Sequence, residues 1–135
     1  MVLHLSRKHH AQLLKLAENA GKAECCGLLL GQGETVSEVV HAANVSADAD
    51  HHFEIDPATL IAAHKEARTG GTQIIGYFHS HPDGLASPSQ TDIAQAANDG
   101  RYWFIIANQS ISAWQPRSDG SQVVAFDPVQ LVVEG

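Results

Sequence analysis

The stretch Ile74-Ile75-Gly76-Tyr77-Phe78-His79-Ser80-His81-Pro82 decides how this chain folds. Ile74, Ile75, Tyr77 and Phe78 make it nearly continuously apolar, which suits a strand at the centre of a sheet. Pro82 cannot donate to a ladder, so the strand ends at the histidines. Side chains two apart on a strand share a face. His79 and His81 can therefore reach one metal ion from a rigid backbone, and neutral imidazole is a good zinc ligand. An HxH taken alone is more often a pair of ordinary histidines, so the neighbouring sequence has to carry the case.

Downstream, residues 83–88 form a loop and Ser89 starts a helix that ends near Asn98-Asp99-Gly100. Asp92 falls in its first turn, eleven positions beyond His81. It could supply an oxygen ligand and leave a fourth position open, which separates catalytic from structural zinc. Ser89 and Asp92 also resemble a capping box, with aspartate in place of glutamate. The two roles are compatible, because the cap would fix the angle at which Asp92 enters.

Upstream, Ser6 caps a helix carrying Leu13, Leu14, Leu16 and Ala17 that stops at Gly21. Residues 26–31 are apolar and suit a buried strand. Gln32-Gly33-Glu34 reads as a hairpin turn, and residues 36–43 return as a second strand. Residues 44–50 are loop-like and residues 53–55 a short strand. Asp56-Pro57 opens a second helix, with the acid at N-cap and proline at N1, running to about Thr69. Residues 102–107, 111–114 and 123–126 read as three closing strands, with Asn108-Gln109 as the turn between the first two. The order predicts an α/β fold with a mixed, mostly antiparallel sheet flanked by helices, in a single domain over residues 1–135.

Composition narrows the function. The chain has 135 residues, with 44% hydrophobic and 17% charged, which describes one globular core rather than a disordered chain. The formal net charge of -7 repels phosphate backbones and argues against nucleic acid. No apolar run approaches the roughly 20 residues of a membrane span, and the first residues do not read as a signal peptide, so a cytoplasmic location is expected. Cys25 and Cys26 are sequence neighbours, which makes a disulfide strained; reduced thiols are expected.

A metal-activated water needs a base to move its proton. Glu24, Glu54, Asp83 and Glu66 are candidates, and spacing alone does not choose among them. Glu24 stands directly before the buried strand, where a charge is costly without a task, and this favours it modestly. Rival zinc signatures fail. The HxHxDH pattern has Gly84 where its final histidine belongs, and neither HExxH nor CxxC occurs.

These residues together resemble the JAMM (MPN-plus) zinc metalloprotease family. Its pattern is an upstream glutamate, then H-[ST]-H-P, then S-x-x-D. His79-Ser80-His81-Pro82 and Ser89-Gln90-Thr91-Asp92 meet it with the right spacing. Glu24-Cys25-Cys26-Gly27-Leu28-Leu29-Leu30-Gly31 is similar to the family's E-x-C-G-L-L-x-G segment, and the likeness includes residues 53–57 and 75–78. The resemblance implies a cytidine-deaminase-like MPN sandwich with zinc on His79, His81 and Asp92. Glu24 would hold and deprotonate the water, and Ser89 would donate a hydrogen bond to the oxyanion. It also implies hydrolysis of an amide or isopeptide bond.

Short members of this kind resemble prokaryotic enzymes that trim a ubiquitin-like sulfur carrier beyond its C-terminal Gly-Gly. A glycine tail suits a narrow groove, where it can pair as an extra strand. Family members often pair, which leaves a homodimer open. Two other readings stand beside this one: a non-catalytic MPN scaffold that binds partners, and a zinc hydrolase of small peptides. His51 and His52 point apart as neighbours and read as loop histidines, as do His4, His9, His10, His41 and His64. Trp103 and Trp114 read as packing residues.

Overall fold

The computed structural model describes residues 2–135; Met1, the first residue of the expected domain, lies outside the described residues. In chain order the elements are β1 (Val2–Ser6), α1 (Arg7–Ala20), β2 (Cys26–Gln32), β3 (Thr35–Ala42), α2 (Pro57–Arg68), β4 (Gln73–Ser80), α3 (Gln90–Gln95), β5 (Tyr102–Ala107), β6 (Ser110–Ser118) and β7 (Val123–Glu134). Among the described residues no helix is long and apolar enough to cross a membrane.

The strands follow one another in space as β1-β3-β2-β4-β5-β6-β7, and β1 returns to β7 so that the sheet closes. Among the described residues four of the seven pairings are antiparallel, so the mixed, mostly antiparallel sheet is found, with β4 between β2 and β5. The closure is thin. β1 meets β3 at the single pair His4↔Thr35 but runs along β7 for five pairs, Val2↔Gln130 to Ser6↔Glu134.

The sheet curls around α1. Leu13 of that helix packs in one cluster with Leu3, Leu29, Val39, Phe78 and Phe104, and all seven strands contribute side chains to it. The other face of β2 and β4 carries Cys26, Leu28, Leu30 and Ile74, which α2 covers with Leu60 and Ala63. β2 is thus apolar on both sides because it lies between two cores. Gly27 is required there: a Cβ would stand 2.1 Å from the Val40 carbonyl oxygen and 2.4 Å from the Phe78 ring.

Helix starts follow their caps. The Ser6 hydroxyl accepts from the His9 amide, and the Asp56 carboxylate accepts from the Ala58 amide with Pro57 in the first turn. Asn108 and Gln109 both take positive φ, 50° and 62°, as a two-residue hairpin turn of the primed type demands.

Four expectations change. Residues 2–6 form a strand, with Leu3 and Leu5 inward in the period-2 pattern. β7 runs on through Pro128 to Glu134, because β1 joins it only from Gln130 and no strand flanks that side of the proline. Residues 53–55 are not a ladder strand; only Ile55 bridges, to Asn44. The third helix also stops at Gln95, short of Asn98.

Candidate metal centre

β4 delivers His79 at its end, and the chain continues far enough beside β5 for the His81 amide to donate to the Ile106 carbonyl at 2.9 Å. The expected common face is realised: the two Nε2 atoms lie 2.9 Å apart. Asp92 enters from α3. Its Oδ1 is 3.1 Å from His79 Nε2 and its Oδ2 is 3.0 Å from His81 Nε2. All three side chains are buried.

Two nitrogens and a carboxylate converging from three directions match the donor chemistry of zinc. The ligand atoms of a tetrahedral zinc site stand about 3.3 Å apart, given bonds of about 2.0–2.1 Å. The separations here, 2.9–3.1 Å, are close to that span. The residues therefore fit a single metal ion.

The ring orientations are set from outside the donor set. His81 Nδ1–H donates to the Leu85 carbonyl at 2.7 Å, which leaves Nε2 of the neutral ring as the lone-pair nitrogen. His79 is gripped by aromatic rings. Phe53 stacks on it with centroids 4.4 Å apart, and Trp103 meets it edge-on at 5.3 Å. Burial holds the His79 imidazole below its ordinary range, so it stays neutral. For His81 burial acts downward too, but hydrogen bonds to Asp92 and the Leu85 carbonyl outweigh it. For Asp92 burial acts upward and is outweighed by both imidazoles and the Ser89 amide, so the carboxyl sits well below its ordinary range.

The capping box is also real. The Ser89 hydroxyl accepts from the Asp92 amide at 3.0 Å, and Asp92 Oδ2 accepts from the Ser89 amide at 2.9 Å. Because Ser89 Oγ only accepts in the cap, its own proton is free to donate. Asp92 thus starts the helix and joins the donor set with one carboxylate.

Of the four candidate bases, Glu24 and Asp83 reach the site. Both line a cleft of about 190 Å³ with His51, His81, Ser87 and Ser89. Asp83 is exposed and accepts from the Leu85 amide, shaping the turn that holds His81. Glu54 lines a separate cavity with Phe53, Leu60 and Tyr77, and Glu66 belongs to α2. Glu24 is 7% exposed, and burial pushes its carboxyl up to about 7, opposed by His81. That value lets it both take and return a proton near neutral pH.

Sequence reading missed Ser80 and Phe53. Ser80 points away from the donor set, and its Oγ accepts from the Cys25 amide at 2.8 Å; its own amide donates to the Cys25 carbonyl at 3.0 Å. It pins the segment bearing Glu24 to the strand bearing the histidines. Alternation in His-Ser-His was the available signal. Cys25 and Cys26 are both free and buried, and burial pushes Cys26 up to about 12, so these thiols are inert. His51 is exposed in its loop and paired with Asp48.

A family model described as prokaryotic homologs of the JAB domain matches residues 6–117. Over 85 residues the chain is 32% identical to a desampylase of Haloferax volcanii, covering 62% of this chain and 61% of that protein. Over 92 residues it is 34% identical to a probable TtuB-protein conjugate cleaving protease of Thermus thermophilus, covering 68% and 59%. The chain thus spans about three fifths of the length of either relative. A solved structure from Desulfitobacterium hafniense superposes with a TM-score of 0.82 at 28% identity, over 99% of this chain and 93% of that one. A JAB1/MPN domain protein from Archaeoglobus fulgidus shares the fold, with a TM-score of 0.60 at 18% identity over 97% and 98% of the two chains.

Proposed function

The chain belongs to the prokaryotic JAB-domain homologues, the short branch of the JAMM/MPN family, and from that premise we propose that it is a zinc metallopeptidase. Its substrate is the amide or isopeptide bond that follows the C-terminal Gly-Gly of a ubiquitin-like or sulfur-carrier protein. The observation that carries the reading is the buried donor set of His79, His81 and Asp92, whose member His81 lines a cleft together with Glu24 and Ser89. The names of the two relatives, a desampylase and a conjugate cleaving protease, support a protein-conjugate substrate.

Zinc on these three ligands would supply Lewis acidity and lower the pKa of water. Glu24, buried beside His81 in the cleft, takes the proton of the attacking water and returns it to the leaving amine. The Ser89 hydroxyl donates to the oxygen on which negative charge develops. Asp92 stays an anion throughout, held by the Ser89 amide. The cleft, about 190 Å³, is smaller than ordinary small-molecule pockets of about 300–1,000 Å³. That size favours a tail without side chains.

The test joins metal analysis to mass spectrometry. The protein from zinc-replete medium should carry one zinc per chain. It should release the extension from a carrier fused beyond Gly-Gly, and a chelator should stop the release. Metal-free protein, or zinc-loaded protein that leaves every Gly-Gly fusion intact, would sink the reading.

A further inference from the structure

Glu24 lies between α1 and β2, outside any helix or strand. No ladder fixes its backbone, yet a base must be held to within about half an ångström to work. The fixing comes from across the chain. The Glu24 amide donates to the Ala49 carbonyl at 2.8 Å. The Glu24 carbonyl accepts from Asn44 Nδ2 at 2.9 Å.

Asn44 does more than this. The same Nδ2 donates to the His52 carbonyl at 2.9 Å and approaches the Ala49 carbonyl at 3.4 Å. Its Oδ1 accepts from the amides of Ser46 and Glu54, both at 3.1 Å. One carboxamide therefore gathers both ends of the 44–54 loop onto the backbone of Glu24. That loop carries Phe53, whose ring lies on His79, and Asp50 and His51, which line the cleft.

We infer that Asn44 is a positioning residue that registers the base Glu24 against the metal ligand His79. The linkage runs from the Glu24 carbonyl to the Asn44 amide, then to the Glu54 amide, the adjoining Phe53 ring and His79. An ordinary loop residue would satisfy only its own turn, as the Asn44–Ser46 contact does. Asn44 also spends its donors on a residue twenty positions away that carries the chemistry. The inference rests on the reading of Glu24 as the base, and its test separates the two.

The experiment uses Asn44→Asp and Asn44→Ala. Aspartate keeps the acceptor oxygen and loses both donors; alanine loses both without adding charge. Each variant and the wild type are assayed for zinc content, for kcat and KM on a Gly-Gly fusion, and for amide hydrogen exchange. Zinc should stay at one per chain and KM should move less than about threefold. The turnover number kcat should fall about 10- to 100-fold in both variants, as misplacement of a catalytic group predicts. The Glu24 amide should exchange at least about tenfold faster, while the Leu29 amide within β2 is unchanged.

Unchanged kcat, loss of rate in the aspartate variant alone, or an unchanged Glu24 amide would each overturn the inference. Should neither variant fold, the wild type still decides. Its Glu24 amide should be as protected as those of β2, and exchange as fast as the exposed Asp50 amide would defeat the idea. A wild type without zinc-dependent hydrolysis, but with Glu24 deprotected in both variants, would refute the peptidase reading and leave the clasp standing.

Discussion

Replacing Glu24 by glutamine should make the metal-free protein more stable above pH 7. Burial holds the Glu24 carboxyl at about 7 against an ordinary 4.5. Between these values the native state keeps a proton that the unfolded chain has released, so wild-type stability falls as pH rises through the window. The displacement is worth about 3 kcal/mol, and solvent reaching the carboxylate from the cleft lowers this to about 2 kcal/mol. Glutamine has nearly the same shape and no charge to desolvate. For a chain of 135 residues, about 2 kcal/mol corresponds to about 7 °C in Tm. The assay is thermal melting of chelator-treated wild type and Glu24→Gln from pH 4 to pH 8.5. His81 and Asp92 act on Glu24 through their charges, so the difference between the curves reports Glu24 together with that coupling. The two should nearly coincide at pH 4 and part steadily to about 7 °C by pH 8, with the variant higher. Parallel curves, or a gap opening the other way, would refute the argument. With zinc restored, the variant should keep its metal and lose hydrolysis by at least about 10²-fold.

Ser89→Ala removes a cap and the proposed oxyanion donor together. Stability should drop by about 1 kcal/mol, or 3–4 °C in Tm, while kcat falls about 10²- to 10³-fold, a disproportion that melting and kinetics on one sample would reveal. Asp92→Asn keeps an oxygen for the Ser89 amide but loses the anionic ligand. The protein should remain folded by circular dichroism and lose its zinc on dialysis; zinc retained at one per chain would remove Asp92 from the donor set. Gly27→Ala drives a methyl group into the Val40 carbonyl and the Phe78 ring. A loss of about 3 kcal/mol or more is expected, read as a fall of about 10 °C in Tm or as insoluble protein.

Much of the site was legible because its residues sit where local rules are strong. A proline after an apolar run stops β4 at the histidines, and Ser89-x-x-Asp92 is a helix start whatever else it does. Glu24 was narrowed to but not isolated, since what separates it from Glu54 and Glu66 is a fold that brings position 24 beside positions 81 and 89. Ser80 and Asn44 act through main-chain groups 55 and 20 residues away, and side chain-to-backbone bonds of that reach leave no periodic trace. In the fold, β1 alternated plainly but was short, and Pro128 hid the length of β7 until β1 supplied the reason it is tolerated. Phe53 reads as a strand residue by composition; its task is to lie on His79.

The shared carboxylate of Asp92 bears on how descent leaves marks in such chains. A lineage that gave up the metal would still gain from Ser89 and Asp92, because they begin α3 whether or not an ion is held. Selection for folding alone would preserve the Ser-x-x-Asp signature long after activity had gone. Glu24 has the opposite standing: ionised in a buried place, it weighs against the fold, and drift would be quick to replace it. The acid that opposes stability is therefore the better witness to a working enzyme, and the tidy helix start the poorer one.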